Sequence, residues 1–242
     1  MSAFAAISGQ GKNLPSSLKG SGMTSSFETL KSRNSREWQA YRNHEFVCRL
    51  GAGTLSEEAF RHYLKQDYLF LVEFARAWGL AVYKSRDLDE IRQGLESLKA
   101  IVEVEIGLHV GYCAEWGIPE KALADVPPSS ATLAYTDYVL ETGLHGDLTD
   151  LHVALAPCII GYGEIALWLQ AQPFLKMDGN PYAAWIEMYA SADYQALVRS
   201  EIEWLDRRLA GLDEPAISRL SRIFANATRL EADFWQMGLD LT

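Results

Sequence analysis

The chain has 242 residues, 48% of them hydrophobic and 22% charged, with a formal net charge of −10 at pH 7. That is enough length for a sizeable core in one large domain or two small ones. With no block of like charge and no Lys/Arg cluster, it argues against nucleic acid or an anionic membrane as a partner. No run of about 18 uncharged apolar residues offers a membrane span. Cys48, Cys113 and Cys158 are odd in number, far apart and in no metal-ligand spacing, which predicts a reduced, cytoplasmic protein and no bound metal.

Residues 1–23 are rich in Ser and Gly, lack periodicity and have too short an apolar run for a signal peptide. They read as a disordered leader, with Met23 as a possible native start and residues 24–242 as one folded domain. A first helix is expected from Ser25 or Ser26, carrying Phe27, Leu30, Trp38 and Tyr41 inward. A short apolar piece, His44 to Leu50, follows and ends in Gly51-Ala52-Gly53. Ser56 should cap a second helix, Glu57 to about Lys84, with Glu57 and Glu58 in the first turn where they favour the macrodipole. On it Asp67, Phe70 and Phe74 fall at i, i+3 and i+7, so an acid and two rings share one face. An acid set among Tyr68, Leu69, Phe70 and Leu71 either points to solvent or is paired or functional.

Asp87 and Glu90 resemble a capping box for a third helix, which should reach about Trp116 and holds Glu103, Glu105 and His109. Gly117 and Pro119 end it. Pro127-Pro128 and Ser129-Ser130 make a turn before a fourth helix, Ala131 to Thr142, with Tyr135 and Tyr138, stopped at Gly143.

The next stretch, Asp147 to Gln170, is apolar round most of the helix circumference and so belongs inside a bundle. Asp147 and Asp150 begin it as a cap and an acidic first turn. Pro157 in its middle removes a backbone donor and should kink it, with Cys158 at the kink and Tyr162 one turn later. Such a helix can line a pocket with a thiol and a phenol, or Cys158 can be a small buried hydrophobe.

Asn180-Pro181 reads as a cap followed by proline at the first helical position, with Trp185, Ile186 and Tyr189 on the apolar face. Tyr194 to Leu209 and Pro215 to Met237 complete the chain, the last with Glu231 on its inward stripe of Leu220, Phe224, Ala227 and Phe234. No strand-like alternation of useful length appears. The expectation is an all-α single-domain bundle of about eight helices.

Phosphate-binding glycine loops, HExxH and GxSxG are all absent. Of five histidines none lies beyond His152, so the Glu-x-x-His pairs from several helices that a helical di-iron site needs cannot form. What remains is a thiol, two inward acids and several phenols, a set suited to covalent chemistry with general acid–base transfer.

Gln66-Asp67 in a long aromatic helix, Tyr135-Thr136, Pro157-Cys158-x-x-x-Tyr162-x-Glu164, Trp185-Ile186-x-x-Tyr189 and Glu231-x-x-Phe234-Trp235, in that order, resemble the thiaminase II (TenA) family over roughly residues 25–240. The resemblance implies a helical fold like that of haem oxygenase, without haem, usually a homotetramer and with no cofactor. It implies hydrolysis of thiamin breakdown products such as 4-amino-5-aminomethyl-2-methylpyrimidine to the hydroxymethylpyrimidine with release of ammonia, and cleavage of thiamin itself. By the same resemblance Cys158 is the nucleophile that adds to the pyrimidine. Glu231 moves the proton to the leaving amine and activates water, and Asp67 holds the ring's amino group and a ring nitrogen. Tyr135, Tyr162 and Tyr189 are pocket phenols. Some relatives lack the cysteine, so Cys158 would place the chain in the thiol-bearing branch. Phe70 departs from the pattern, since the family often has tyrosine one turn after the Asp. Two other readings stand beside this one: a non-catalytic pyrimidine-binding or regulatory protein, and a cofactor-free oxidase of the pyrroloquinoline quinone synthesis type, which the lack of late histidines disfavours.

Overall fold

A computed structural model describes residues 25–242; the expected leader, residues 1–23, lies outside that range. Thirteen α-helical segments and two π-helical turns make up the described chain, and no strand occurs among the described residues. The expected first helix is two, α1 (Ser26–Arg33) and α2 (Ser35–Arg42). Asn34 breaks it: its buried side chain donates to Leu30 O (2.8 Å) and to Ser221 Oγ (2.9 Å), which draws the backbone out of helical register. The apolar piece is a helix, α3 (Glu45–Ala52), ended by Gly53 at φ 68°, a conformation that glycine adopts without penalty.

Ser56 caps α4 (Glu57–Lys84) through Ala59 N, and Asp87 caps α5 (Leu88–Ala100) through Asp89 N and Glu90 N. The third helix is not continuous. A π turn, Ile101–Glu105, separates α5 from α6 (Ile106–Glu115), and the short α7 (Glu120–Ala124) follows. Ser129 caps α8 (Ser130–His145). Gly143 does not stop this helix but lies inside it. A Cβ there would meet Leu80 Cδ2 at 2.7 Å and Leu151 Cδ1 at 2.9 Å, so the glycine marks a close approach of helices.

Asp147 and Asp150 form a reciprocal capping box on α9 (Leu148–Ala156). A π turn, Pro157–Gly161, then leads into α10 (Tyr162–Gln170). Pro157 therefore acts by inserting a wide turn, which accommodates the missing N–H and its ring without breaking the helix. From Leu148 to Gln170 the described chain has its one stretch long and apolar enough to cross a membrane, and 78% of its apolar window is buried inside the fold; it is the core helix. The remaining helices are α11 (Ala183–Ala190), α12 (Ala192–Leu209) and α13 (Glu214–Asp240). α11 starts later than the Asn180-Pro181 pair suggests. Asn180 is used otherwise: its side chain accepts from Tyr182 N and donates to Leu50 O, Gly51 O and Lys176 O, tying α3 to the following loop.

Helix α13 packs on α2, α4, α8 and α9 and carries Phe224, Phe234 and Trp235 into a core of rings. Trp235 stacks near Tyr41 (6.2 Å) and Phe46 (5.0 Å). Buried phenols reach the carbonyls of the wide turn at Pro157. Tyr41 donates to Pro157 O (3.2 Å) and Tyr194 to Ile159 O (3.0 Å). Gly161 lets Tyr41 reach that position, because a Cβ would sit 2.5 Å from Tyr41 Cε1. Gly161→Ala is accordingly expected to cost about 1–3 kcal/mol by overpacking a rigid ring, read as a fall in Tm of several degrees; an unchanged Tm would show that Tyr41 moves freely.

Candidate active site

Six elements bring the expected residues together. The π turn carries Cys158, α4 brings Asp67 and Phe70, α8 brings Tyr135, α10 Tyr162, α11 Tyr189, and α13 brings Glu231. Gln66, beside Asp67 in sequence, points elsewhere and has a positioning task. Buried, it accepts from Ser129 N (3.0 Å) and Thr132 Oγ1 (2.7 Å) and donates to Pro127 O (3.1 Å). These bonds pin the start of α8 to α4, one turn before Tyr135.

Glu231 is 1% exposed, and the Tyr135 hydroxyl donates to its Oε1 at 2.8 Å. Burial pushes the Glu231 carboxyl up to about 8, opposed by the Tyr135 hydrogen bond and helped by the charge of Asp67. At neutral pH it is therefore mostly a carboxylic acid. The same Tyr135 hydroxyl also lies within hydrogen-bonding reach of Cys158, so one phenol joins the acid to the thiol. Burial raises the Cys158 thiol well above its usual range, and the Glu231 charge raises it further; only the Tyr135 hydrogen bond and the backbone oppose them. The thiol is protonated and donates to Leu155 O at 3.0 Å. It is half-buried.

Asp67 is 8% exposed. Burial raises its carboxyl, while His109 and a hydrogen bond from Tyr63 lower it. His109 Nε2 lies 2.9 Å from Leu64 O and its Nδ1 lies 3.5 Å from Asp67 Oδ2. Tyr63, which further accepts from Trp185 Nε1 (3.3 Å), and His109 are the site residues that sequence reasoning missed. The signal available was the sequence neighbourhood of the two acids alone, which does not show that α6 lies on α4.

Rings line the space around these groups. Phe70 stacks on Tyr135 (5.0 Å, 29°) and lies 6.1 Å from Phe234. Tyr162 sits 4.9 Å from Tyr189, 5.7 Å from Trp185 and 5.3 Å from Trp235. All seven residues expected at the site, Asp67, Phe70, Tyr135, Cys158, Tyr162, Tyr189 and Glu231, belong to this one ring-lined assembly. Flat walls with acids at two places suit a planar, positively charged heteroaromatic ligand.

Residues 32–241 match the TENA/THI-4/PQQC family. The chain belongs to that family. An aminopyrimidine aminohydrolase of Halalkalibacterium halodurans is 37% identical over 200 residues, which cover 83% of this chain and 89% of that one. Among solved structures, a TenA family transcription regulator from Silicibacter sp. TM1040 is 44% identical with a TM-score of 0.83, covering 88% of this chain and 96% of that one. A domain with a heme oxygenase-like fold from Shewanella denitrificans is 14% identical with a TM-score of 0.71, covering 91% and 94%, and so the TENA/THI-4/PQQC chain described here has that helical architecture.

Proposed function

We propose that the protein is an aminopyrimidine hydrolase of the thiaminase II type, acting on thiamin and its aminopyrimidine breakdown products in thiamin salvage. The observation that carries this reading is the Tyr135 hydroxyl placed between a buried acid, Glu231, and a thiol, Cys158. The 37% identity to an aminopyrimidine aminohydrolase supports it. Asp67 holds the ring's amino group and a ring nitrogen, and Phe70, Tyr135, Tyr162 and Tyr189 pack on the ring. The sulfur of Cys158 adds to a ring carbon while its proton passes through Tyr135 to Glu231 and on to the leaving amine. The carbon–nitrogen bond breaks and ammonia departs. Water then adds to the exocyclic carbon and the ring expels the thiolate, the water's proton passing to Glu231 as Glu231 returns its own through Tyr135 to the sulfur. The sum is one water consumed, one amine replaced by hydroxyl, and no net change at the protein. A bound cationic ring favours the thiolate, offsetting what burial costs it.

The test is release of ammonia from 4-amino-5-aminomethyl-2-methylpyrimidine, with the hydroxymethylpyrimidine identified as the product. Tight binding without turnover would overturn the enzymatic reading and leave a pyrimidine-binding regulator; the Silicibacter relative is named a transcription regulator. We further propose a cytoplasmic homotetramer. Its support is the free state of Cys48, Cys113 and Cys158 and the exposed Leu95, Val102 and Leu108 from α5, the π turn Ile101–Glu105 and α6; light scattering should give the mass of four chains.

Phe70 bears on substrate choice. Its ring lies on the Asp67 face against Tyr135, so Phe70→Tyr adds one hydroxyl to the pocket wall. KM should change by roughly threefold to tenfold, about the worth of one hydrogen bond, with kcat nearly constant. A collapse of kcat at constant KM would instead put Phe70 in the bond-making steps.

A further inference from the structure

Glu105 ends the π turn Ile101–Glu105. Such turns are rare and concentrate at functional sites; the other among the described residues presents Cys158. Here no proline accounts for the turn. Its consequence is the face that α6 presents. His109, one turn after Glu105, has its Nδ1 3.5 Å from Asp67 Oδ2, and residues four apart on a helix share a side. Glu105 therefore lies on the side of α6 that meets Asp67.

The acids turned inward elsewhere have partners. Asp67 has Tyr63 and His109, Glu231 has Tyr135, Glu201 has His152 at 2.8 Å, and Asp150 has Arg219. Glu105 makes no hydrogen bond or ion pair with any described residue. Burial raises its carboxyl to about 7, with the Asp67 charge adding to the effect, and its own charge is felt by Tyr189 and Tyr194. Glu105 is half-buried, so its carboxylate is open to a partner from outside the chain. It is coupled to the anchor acid and to these phenols, and a cationic ligand held by them would supply the counter-charge that no protein group gives it.

We propose that Glu105 is a specificity-determining residue whose carboxylate pairs with the positive charge on the leaving-group side of the substrate, that of the amine once it is protonated or of a thiazolium. This rests on the hydrolase reading for the identity of the ligand. The ring itself is held by Asp67 and the phenols, so Glu105 separates charged substrate from neutral product, which has the same ring and a hydroxyl in place of the cation.

Glu105→Gln keeps the shape and removes the charge. KM for the aminomethylpyrimidine should rise about tenfold with kcat within roughly threefold, while inhibition by the neutral hydroxymethylpyrimidine stays unchanged. Glu105→Asp should retain most of the preference for the cation. Without ligand, Glu105→Gln should melt at or above the wild-type temperature, since a costly unpaired acid is gone. Equal weakening of substrate and product, loss of kcat alone, or the same loss in Glu105→Asp as in Glu105→Gln would overturn the assignment. If the wild type released no ammonia, the hydrolase reading would fail. Glu105 would still be tested by equilibrium binding of the same cationic and neutral pyrimidines.

Discussion

Cys158→Ser should lower kcat for aminopyrimidine hydrolysis by several orders of magnitude while the substrate still binds. The hydroxyl keeps the size of the thiol and can still donate to Leu155 O, so the π turn and its supports, Tyr41 on Pro157 O and Tyr194 on Ile159 O, remain in place. What is lost is acidity and nucleophilicity, because even a free thiol near 8.5 is a far stronger acid than an alcohol. The thiol in this protein is already raised by burial and by Glu231, so it depends on the bound cation and on Tyr135 for its activation, and serine has no comparable margin. Glu231→Gln should cost about 10²–10⁴ by removing proton transfer. Both residues act through the Tyr135 hydroxyl on one path, and their losses should not add: the double variant should be little worse than Cys158→Ser. Near-normal turnover by Cys158→Ser would return Cys158 to a core thiol, and additive losses would mean that Glu231 serves a separate step.

Much of this assembly is legible along the chain, because helices announce themselves locally. Ser56, Asp87 and Asp147 cap where their side-chain chemistry places them, and the apolar circumference of residues 148–170 marks the core helix. Features that depend on partners remote in sequence are not legible. The break at Asn34 requires Ser221, 187 residues away. A proline in a helix reads as a kink, yet Pro157 opens a π turn whose carbonyls are bonded by Tyr41 and Tyr194, residues remote in sequence. Gly143 reads as a helix stop, and only the position of Leu80 and Leu151 shows it to be a packing contact. The acids were visible as charges on apolar faces, but which of them has a partner is a tertiary fact. Asp67 meets His109 across two helices, and Glu105, on the same helix face, meets no one.

Glu231 also makes stability depend on pH in a direction opposite to that of an ion-paired acid. Its folded-state carboxyl is raised from 4.5 to about 8, so between those values the folded chain holds a proton that the unfolded chain has released. The contribution is fully present below about 4.5 and is lost as pH rises through about 8. Asp67 and Glu105, also raised by burial, slope the same way, so the wild type should melt lower at pH 8.5 than at pH 5. Glu231→Gln replaces the protonated acid with a neutral group of the same shape that can still accept the Tyr135 hydroxyl. The variant should match the wild type near pH 5 and exceed it by about 5–10 °C in Tm at pH 8.5, corresponding to about 2–3 kcal/mol. It should be the more stable protein where it is nearly inactive, since an acid held protonated for donation to a leaving amine is a stability cost accepted for function. Thermal unfolding of both proteins across pH 5–8.5 decides the point. A Tm difference that stays constant with pH would show that Glu231 is already ionised throughout this range, and the proton it is assigned to deliver would have to come from another group.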